Sequence, residues 1–240
     1  EHHPMQQTIA ALLALQELDT EIYRLRDELR RLPEERAARR AQIDAMIARK
    51  DETAGRARAS RLKIKEIEDL TTIQRQRMRK VEHESTQAKV DVALLAAYQH
   101  QVKSLKREIS QAEEEGLALV SDADAVEAEA KRMQGEIEQA EKVFAEFAQN
   151  VERELGVARQ KLGELEGRRK QRLSPDVDRE AFALYERLLS SREGIALAQL
   201  DSRICQQCYM EVPVNLYVRV AKGDRVVQCP SCDRIFYVRT

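Results

Sequence analysis

Apolar residues early in the chain recur at alternating spacings of three and four: Leu15, Leu18, Ile22, Leu25, Leu29 and Leu32. That spacing is a heptad seam, the signature of a helix packed along another helix. The same register runs on through Ile43, Met46, Ala57, Ile64, Ile67, Met78 and Val81. Arg36, Arg39, Lys50, Thr53, Ser60, Thr71 and Gln74 also fall on it, which predicts weaker zipping in the middle. Pro33 has no N–H to donate and clashes inside a helix, so a kink or restart is expected there, with Glu34 and Glu35 in the new first turn.

A second, cleaner seam runs from Leu95, Tyr98 and Val102 through Leu105, Ile109, Ala112, Gly116, Leu119, Ala123, Val126, Ala130, Met133, Ile137, Ala140, Phe144 and Phe147 to Val151. Leu155, Ala158, Leu162 and Leu165 follow, and two consecutive spacings of four make a stutter that locally unwinds the supercoil. Two seams of similar length predict a hairpin that folds back near residue 89, the midpoint of residues 6–172. The tip is expected within 84–90, with Ser85 or Thr86 capping the returning helix.

Charge supports this pairing. The 41 basic and 42 acidic residues nearly cancel over 240 residues, so bulk charge selects no nucleic acid, membrane or acidic ligand. Along the chain they separate: residues 24–80 hold 18 Lys and Arg against 10 Asp and Glu, and residues 111–166 hold 6 against 15. An antiparallel hairpin lays the basic arm on the acidic one, and the basic stretch Arg56, Arg58, Arg61, Lys63 and Lys65 then reads as a complementing helical face. With 4% aromatics, 8 Gly and no Trp, the composition is that of long helices and not of a large globular core. Arms of this kind, on the order of 120 Å long at the helical rise per residue, offer lateral surface for partner helices and little concavity for a small-molecule substrate. Residues 1–4 read as a tag remnant before Met5, no segment has the length or apolarity of a bilayer span, and a soluble, cytoplasmic protein is expected.

The character changes after Arg172, where Ser174-Pro175-Asp176 breaks the helix and offers a new cap. Residues 5–173 are therefore assigned to the hairpin and 174–240 to a short helix, Val177–Arg192, with a small β module. Six of the ten aromatics lie beyond the break. Strands are predicted at Ile195–Leu200, Val226–Gln228 and Ile235–Val238, with a turn at Asp201-Ser202-Arg203. The fold class is mainly α, a long antiparallel coiled-coil hairpin with a small C-terminal β ribbon.

All four cysteines fall in this module, as Cys205-Gln206-Gln207-Cys208 and Cys229-Pro230-Ser231-Cys232, with 20 residues between the pairs. Two Cys-x-x-Cys knuckles at this spacing can present four thiolates tetrahedrally to one Zn²⁺. Two disulfides are the competing arrangement, and iron suits the same sulfur geometry. Four thiolates close the metal's shell, and no His lies in the module, so the zinc is expected to be structural and no catalytic residue is assigned. Arg203, Arg219, Arg225, Arg234 and Arg239, interleaved with Tyr209, Tyr217, Phe236 and Tyr237, could clamp a single strand of nucleic acid or form a partner surface. Equally, the aromatics could be the ribbon's core and the arginines its solubilising coat. The run Arg168-Arg169-Lys170-Gln171-Arg172 adds positive charge just before the module.

A long helical hairpin followed by Cys-x-x-Cys, an apolar spacer, Gly223-Asp224 and Cys229-Pro230-Ser231-Cys232-Asp233-Arg234-Ile235-Phe236-Tyr237 resembles the bacterial C4-type zinc-ribbon coiled-coil family. In that family Gly usually stands where Gln207 and Asp233 stand here, so tighter, more strained turns are expected at these two positions. The resemblance implies a non-enzymatic binding role. Family members are described as nucleic-acid-binding, adaptor or chaperone proteins, some tied to flagellar gene control through sigma-54, although no residue here marks that context. The expected function is an adaptor or chaperone for a protein partner, such as a transcription regulator, using coiled coil and ribbon; direct RNA or DNA binding by the ribbon is the alternative. The sequence contains no phosphate-binding Gly loop, His-Glu-x-x-His helix or nucleophile elbow, so an enzyme is not expected. Oligomeric state stays open, because Leu12, Leu13, Leu70 and Ile73 lie off the seams and could meet a second hairpin or the ribbon.

Overall fold

The computed structural model describes residues 4–88, 91–173 and 177–238. The break at Ser174-Pro175-Asp176, Arg239, Lys89 and Val90 of the expected tip, and all of the tag remnant but Pro4 lie outside the described residues. The protein is mainly α: α1 (Pro4–Gln87) and α2 (Val92–Arg172) form the long hairpin. After it come α3 (Arg179–Ser191), β1 (Leu197–Asp201), β2 (Ile204–Cys205), α4 (Val214–Lys222) and β3 (Ile235–Tyr237). The chain divides into two units, Glu1–Ala37 with Phe147–Thr240, and Ala38–Glu146.

In the second unit the arms pair antiparallel, as rising numbers on α1 meet falling numbers on α2: Arg40 with Glu141, Lys50 with Gln134, Arg61 with Asp124 and Glu127, Arg75 with Glu113. Ile43, Ala57, Ile64 and Val81 are buried on one arm and Leu105, Ile109, Ala123, Val126 and Ile137 on the other. Several of the polar seam positions find partners, although the Gln74 side-chain oxygen is buried without one among the described residues. Thr53 and Thr71 are buried with their hydroxyls donating to the carbonyls of Arg49 and Ile67, and the Gln74 amide donates to Glu108 at 3.1 Å. Arg56, Arg58, Lys63 and Lys65 stay exposed, while Arg61 crosses to Asp124 and Glu127 of the acidic arm.

In the first unit Leu18, Ile22 and Leu25 pack on Ala158 and Leu165, and Leu32 packs on Val151 and Leu155. Here the expected restart at Pro33 does not occur. α1 runs through the proline unbroken, with Leu29 and Leu32 zipped to Phe147, Val151 and Leu155 just before it. Pro33 costs the helix one backbone bond, and apolar packing over the adjoining turns holds the segment regardless. Glu34 and Glu35 pair back to Arg30 and Arg31 one turn earlier instead of opening a new helix.

The cap of the returning helix also differs from expectation. Ser85 and Thr86 remain inside α1 and donate to the carbonyls of Glu82 and His83. The cap is Asp91, whose carboxylate accepts from the Leu94 N–H at 3.1 Å. Likewise α3 is capped by Asp178, which accepts from the Ala181 N–H at 2.8 Å.

The β module is a three-stranded sheet in the order β2-β1-β3, antiparallel on one side of β1 and parallel on the other. Ser202 and Arg203 both adopt positive φ, which makes the β1–β2 connection a type I′ turn suited to the twist of the strands. The expected strand at Val226–Gln228 is reduced to one bridge, Gln228 to Ile235, because the second knuckle starts at the next residue. The parallel crossover carries α4, a helix where only an apolar spacer is expected from the sequence. Leu197 and Ile235 of the sheet share a core with Tyr185, Leu188 and Leu189 of α3 and with Leu12 and Leu15 of α1. Leu12 therefore belongs to the packing of the C-terminal module on the start of α1, whereas Leu70 and Ile73 are exposed.

Candidate metal centre

The two knuckles are built alike. In each, the residue after the second cysteine donates its N–H to the carbonyl of the first: Tyr209 to Cys205 at 2.8 Å, Asp233 to Cys229 at 2.9 Å. The first cysteine's N–H in turn bonds the carbonyl one residue further on, Cys205 to Met210 and Cys229 to Arg234. This closure forces the intervening residue into the left-handed region, with φ of 60° at Tyr209 and 61° at Asp233. Of the two turns expected to be strained, the second is, at Asp233; in the first the strained residue is Tyr209, and Gln207 keeps negative φ.

Knuckle geometry brings Cys205, Cys208, Cys229 and Cys232 together with all four Sγ atoms within 4.8 Å of one another. Cys205 and Cys232 lie 3.9 Å apart and Cys208 and Cys229 3.6 Å apart. A disulfide needs about 2.05 Å. Four sulfurs tetrahedral about Zn²⁺ at about 2.3 Å each would be about 3.8 Å apart. The thiols respond unequally to this crowding. Burial pushes Cys229 up to about 12, against the N–H groups of Cys232 and Ser231, and burial likewise raises Cys205. Burial also opposes ionisation of Cys208, but the Met210 N–H and the surrounding sulfurs outweigh it and bring that thiol down to about 7. Four thiolates this close repel one another unless a cation sits among them, and a divalent ion fits both the charge and the spacing. The set holds one structural zinc with no coordination position left for a substrate.

Polar contacts tie the centre to its surroundings. Arg192, after α3, donates to the Cys232 carbonyl at 2.9 Å and pairs with Asp233, and Arg234 donates to the Ile195 carbonyl at 2.8 Å. On α1, the Gln16 side chain accepts from the Leu197 N–H at 2.6 Å and Thr20 donates to the Gly194 carbonyl at 3.2 Å. Beneath them Asp19, only 2% exposed, receives the Tyr185 hydroxyl at 2.7 Å and Arg169 at 2.5 Å. Burial opposes the Arg169 charge, but Asp19 and Glu186 raise its pKa above the usual range. Burial, followed by the bond to Asp19, raises that of Tyr185. No sequence pattern marked this triad, since Asp19 sits beside the seam like any surface acid.

The residues expected to form a nucleic-acid or partner surface differ in what engages them. Arg203 pairs with Glu211, Arg225 with its neighbour Asp224, and Arg234 is committed to Ile195. Tyr217 packs on the ribbon core, Phe236 is buried in it, and Tyr237 is half-buried on β3. From the preceding basic run, Arg169 is held by Asp19 and Glu186, and Arg172 reaches the Ala14 carbonyl and Glu17. Of the ribbon residues among those described, Tyr209, 75% exposed, and Arg219 face solvent without such ties, and Arg168 and Lys170 of the basic run are exposed as well.

Residues 15–193 match the family described as the CT398-like coiled coil hairpin domain, and residues 204–235 match the C4-type zinc ribbon domain. The chain belongs to this hairpin family. Among solved structures it is similar to CT398 from Chlamydia trachomatis, with a TM-score of 0.83 at 20% identity over 98% of this chain and 99% of that one. It is also similar to HP0958 from Helicobacter pylori, with a TM-score of 0.69 at 16% identity over 97% and 98%. A Mycobacterium smegmatis protein follows at 0.54, with 20% identity over 96% and 97%. At such identities the likeness is one of fold. No curated protein matches the chain. Neither matched domain is a known enzyme fold, and no helix is long and apolar enough to cross a membrane among the described residues.

Proposed function

We propose that the protein is a non-enzymatic adaptor or chaperone that binds another protein through its zinc ribbon and coiled coil. The observation that carries this reading is the chemistry of the ribbon's surface. Ile204, Tyr209, Met210, Val214 and Val218 expose apolar side chains within a short stretch around the first knuckle. Among the described residues of the same module, Arg234 is held to the Ile195 carbonyl, and Arg203 and Arg225 each pair with a nearby acid at the surface. Exposed apolar side chains beside a rigid metal-held scaffold suit a protein partner better than a phosphate backbone. Direct nucleic-acid binding keeps the support of the exposed Tyr209, on which a base could stack, and of the exposed cations Arg219 and Lys222.

Crosslinked pull-down of the full chain from its native cell, with and without nuclease, separates the two. Recovery of one protein regardless of nuclease is the expected result. Recovery of nucleic acid alone overturns the adaptor reading, and affinity for it should then fall steeply as salt rises.

A further inference from the structure

α4 is apolar on two sides. Leu216, Tyr217 and Val220 pack against the ribbon core. On the other side Val214, 57% exposed, and Val218, 46% exposed, continue to the exposed Ala221, an i, i+4, i+7 stripe turned to solvent. A short helix with a second apolar stripe leaves hydrophobic area uncovered, and this spacing is the one by which helices dock on one another. Arg219 and Lys222 are exposed along one edge of the stripe, and α4 contains no acid. Neither cation has an acidic partner among the described residues.

We propose that the outer face of α4 is a docking site for an amphipathic helix of a protein partner, whose apolar residues seat on Val214, Val218 and Ala221 and whose acidic edge meets Arg219 and Lys222. The proposal rests on the adaptor reading and names the surface and the partner's chemistry. Nucleic acid fits this face poorly, because valine and alanine offer no ring to stack on and Tyr217 of the same helix is turned to the core. A second copy fits poorly as well, since the face set against itself would gather four cations and no acid.

The test uses the full-length, zinc-loaded chain labelled with ¹⁵N. The probes are two synthetic amphipathic helical peptides with one leucine stripe, flanked by Glu in the first and by Lys in the second, and a single-stranded RNA. The acidic peptide should shift the amides of Val214–Lys222, with the basic peptide at least about tenfold weaker. The double variant Val214→Glu, Val218→Glu should lose the response while retaining zinc and amide dispersion, as both side chains lie outside the core. Arg219→Glu with Lys222→Glu should exchange the preference to the basic peptide, a readout that simple damage to the ribbon would not give. The site is overturned if the acidic peptide leaves these amides unmoved, or if the RNA moves them with equal or higher affinity. It is also overturned if the amides shift with protein concentration alone, the mark of a second copy. In the native-cell pull-down, undiminished recovery of the partner by the Val214→Glu, Val218→Glu variant sinks the α4 site and leaves the adaptor reading standing; absence of any protein partner from the parent chain sinks both.

Discussion

Asp19 shows how one side chain couples two parts of the chain that lie far apart in sequence. It is buried, and its two carboxylate oxygens are taken up by Arg169 from the end of α2 and Tyr185 from α3. Tyr185→Phe removes a hydrogen bond to a buried charge and should cost about 2 kcal/mol in urea denaturation. Asp19→Ala strands both partners and should cost more, about 3 kcal/mol. The Tyr185 hydroxyl also predicts a base sensitivity. Its pKa is raised by burial, so its contribution is whole below the unfolded value of about 10 and declines as pH rises beyond that. Stability measured above pH 10 should therefore fall more steeply in the parent than in Tyr185→Phe. The triad was not legible in the sequence, because an acid next to a heptad seam is usually solvated and only tertiary contact distinguishes this one. The cysteines were legible, because a knuckle is local and its spacing alone fixes where the sulfurs go. Ser85 and Thr86 misled for the same local reason: their hydroxyls can serve a cap or their own helix's carbonyls equally well, and here they did the second.

At the scale of elements, the junction from α3 to β1 depends on one glycine. Gly194 has φ of 80°, and a Cβ there would lie 2.7 Å from the Cβ of Tyr23 on α1. That neighbour is fixed to its backbone and cannot swing aside. Gly223, the left-handed C-cap of α4, would clash instead with the far end of the flexible Gln6 side chain. Both alanine variants bear the left-handed strain of about 1 kcal/mol, and Gly194→Ala adds the steric cost. Denaturation midpoints should therefore place Gly194→Ala below Gly223→Ala. The inverse order would show that Tyr23 yields. The two seams were readable because a heptad pattern repeats over more than twenty turns, so single polar exceptions and even Pro33 do not erase it. α4 was harder to read: its nine residues span little more than two turns, valine is common in strands, and Pro213 gives it no side-chain cap.

For the molecule as a whole, the decisive coupling runs from metal to sheet to the start of α1. β2 ends in the ligand Cys205, and β3 begins three residues after the ligand Cys232, so the strands flanking β1 are anchored by the centre. Without the ion the four sulfurs have no reason to converge. A sheet of five, two and three residues does not stand without that anchor. Leu197 and Ile235 would then leave the core they share with Leu12, Leu15 and Tyr185. The seams of α1 and α2 bury their own apolar residues and contain no ligand, so the arms should keep their helicity. Chelation of zinc, or Cys205→Ser, is thus expected to remove amide protection from Leu197–Tyr237 while far-ultraviolet circular dichroism retains most of its helical signal. Acid should act in the same sense, because protons compete with the metal for thiolates, and zinc release on lowering pH should precede loss of helix. Simultaneous loss of both signals would show that the hairpin arms depend on the ribbon, and one zinc per chain retained by Cys205→Ser with a protected ribbon would show that the sheet stands without its four-sulfur anchor.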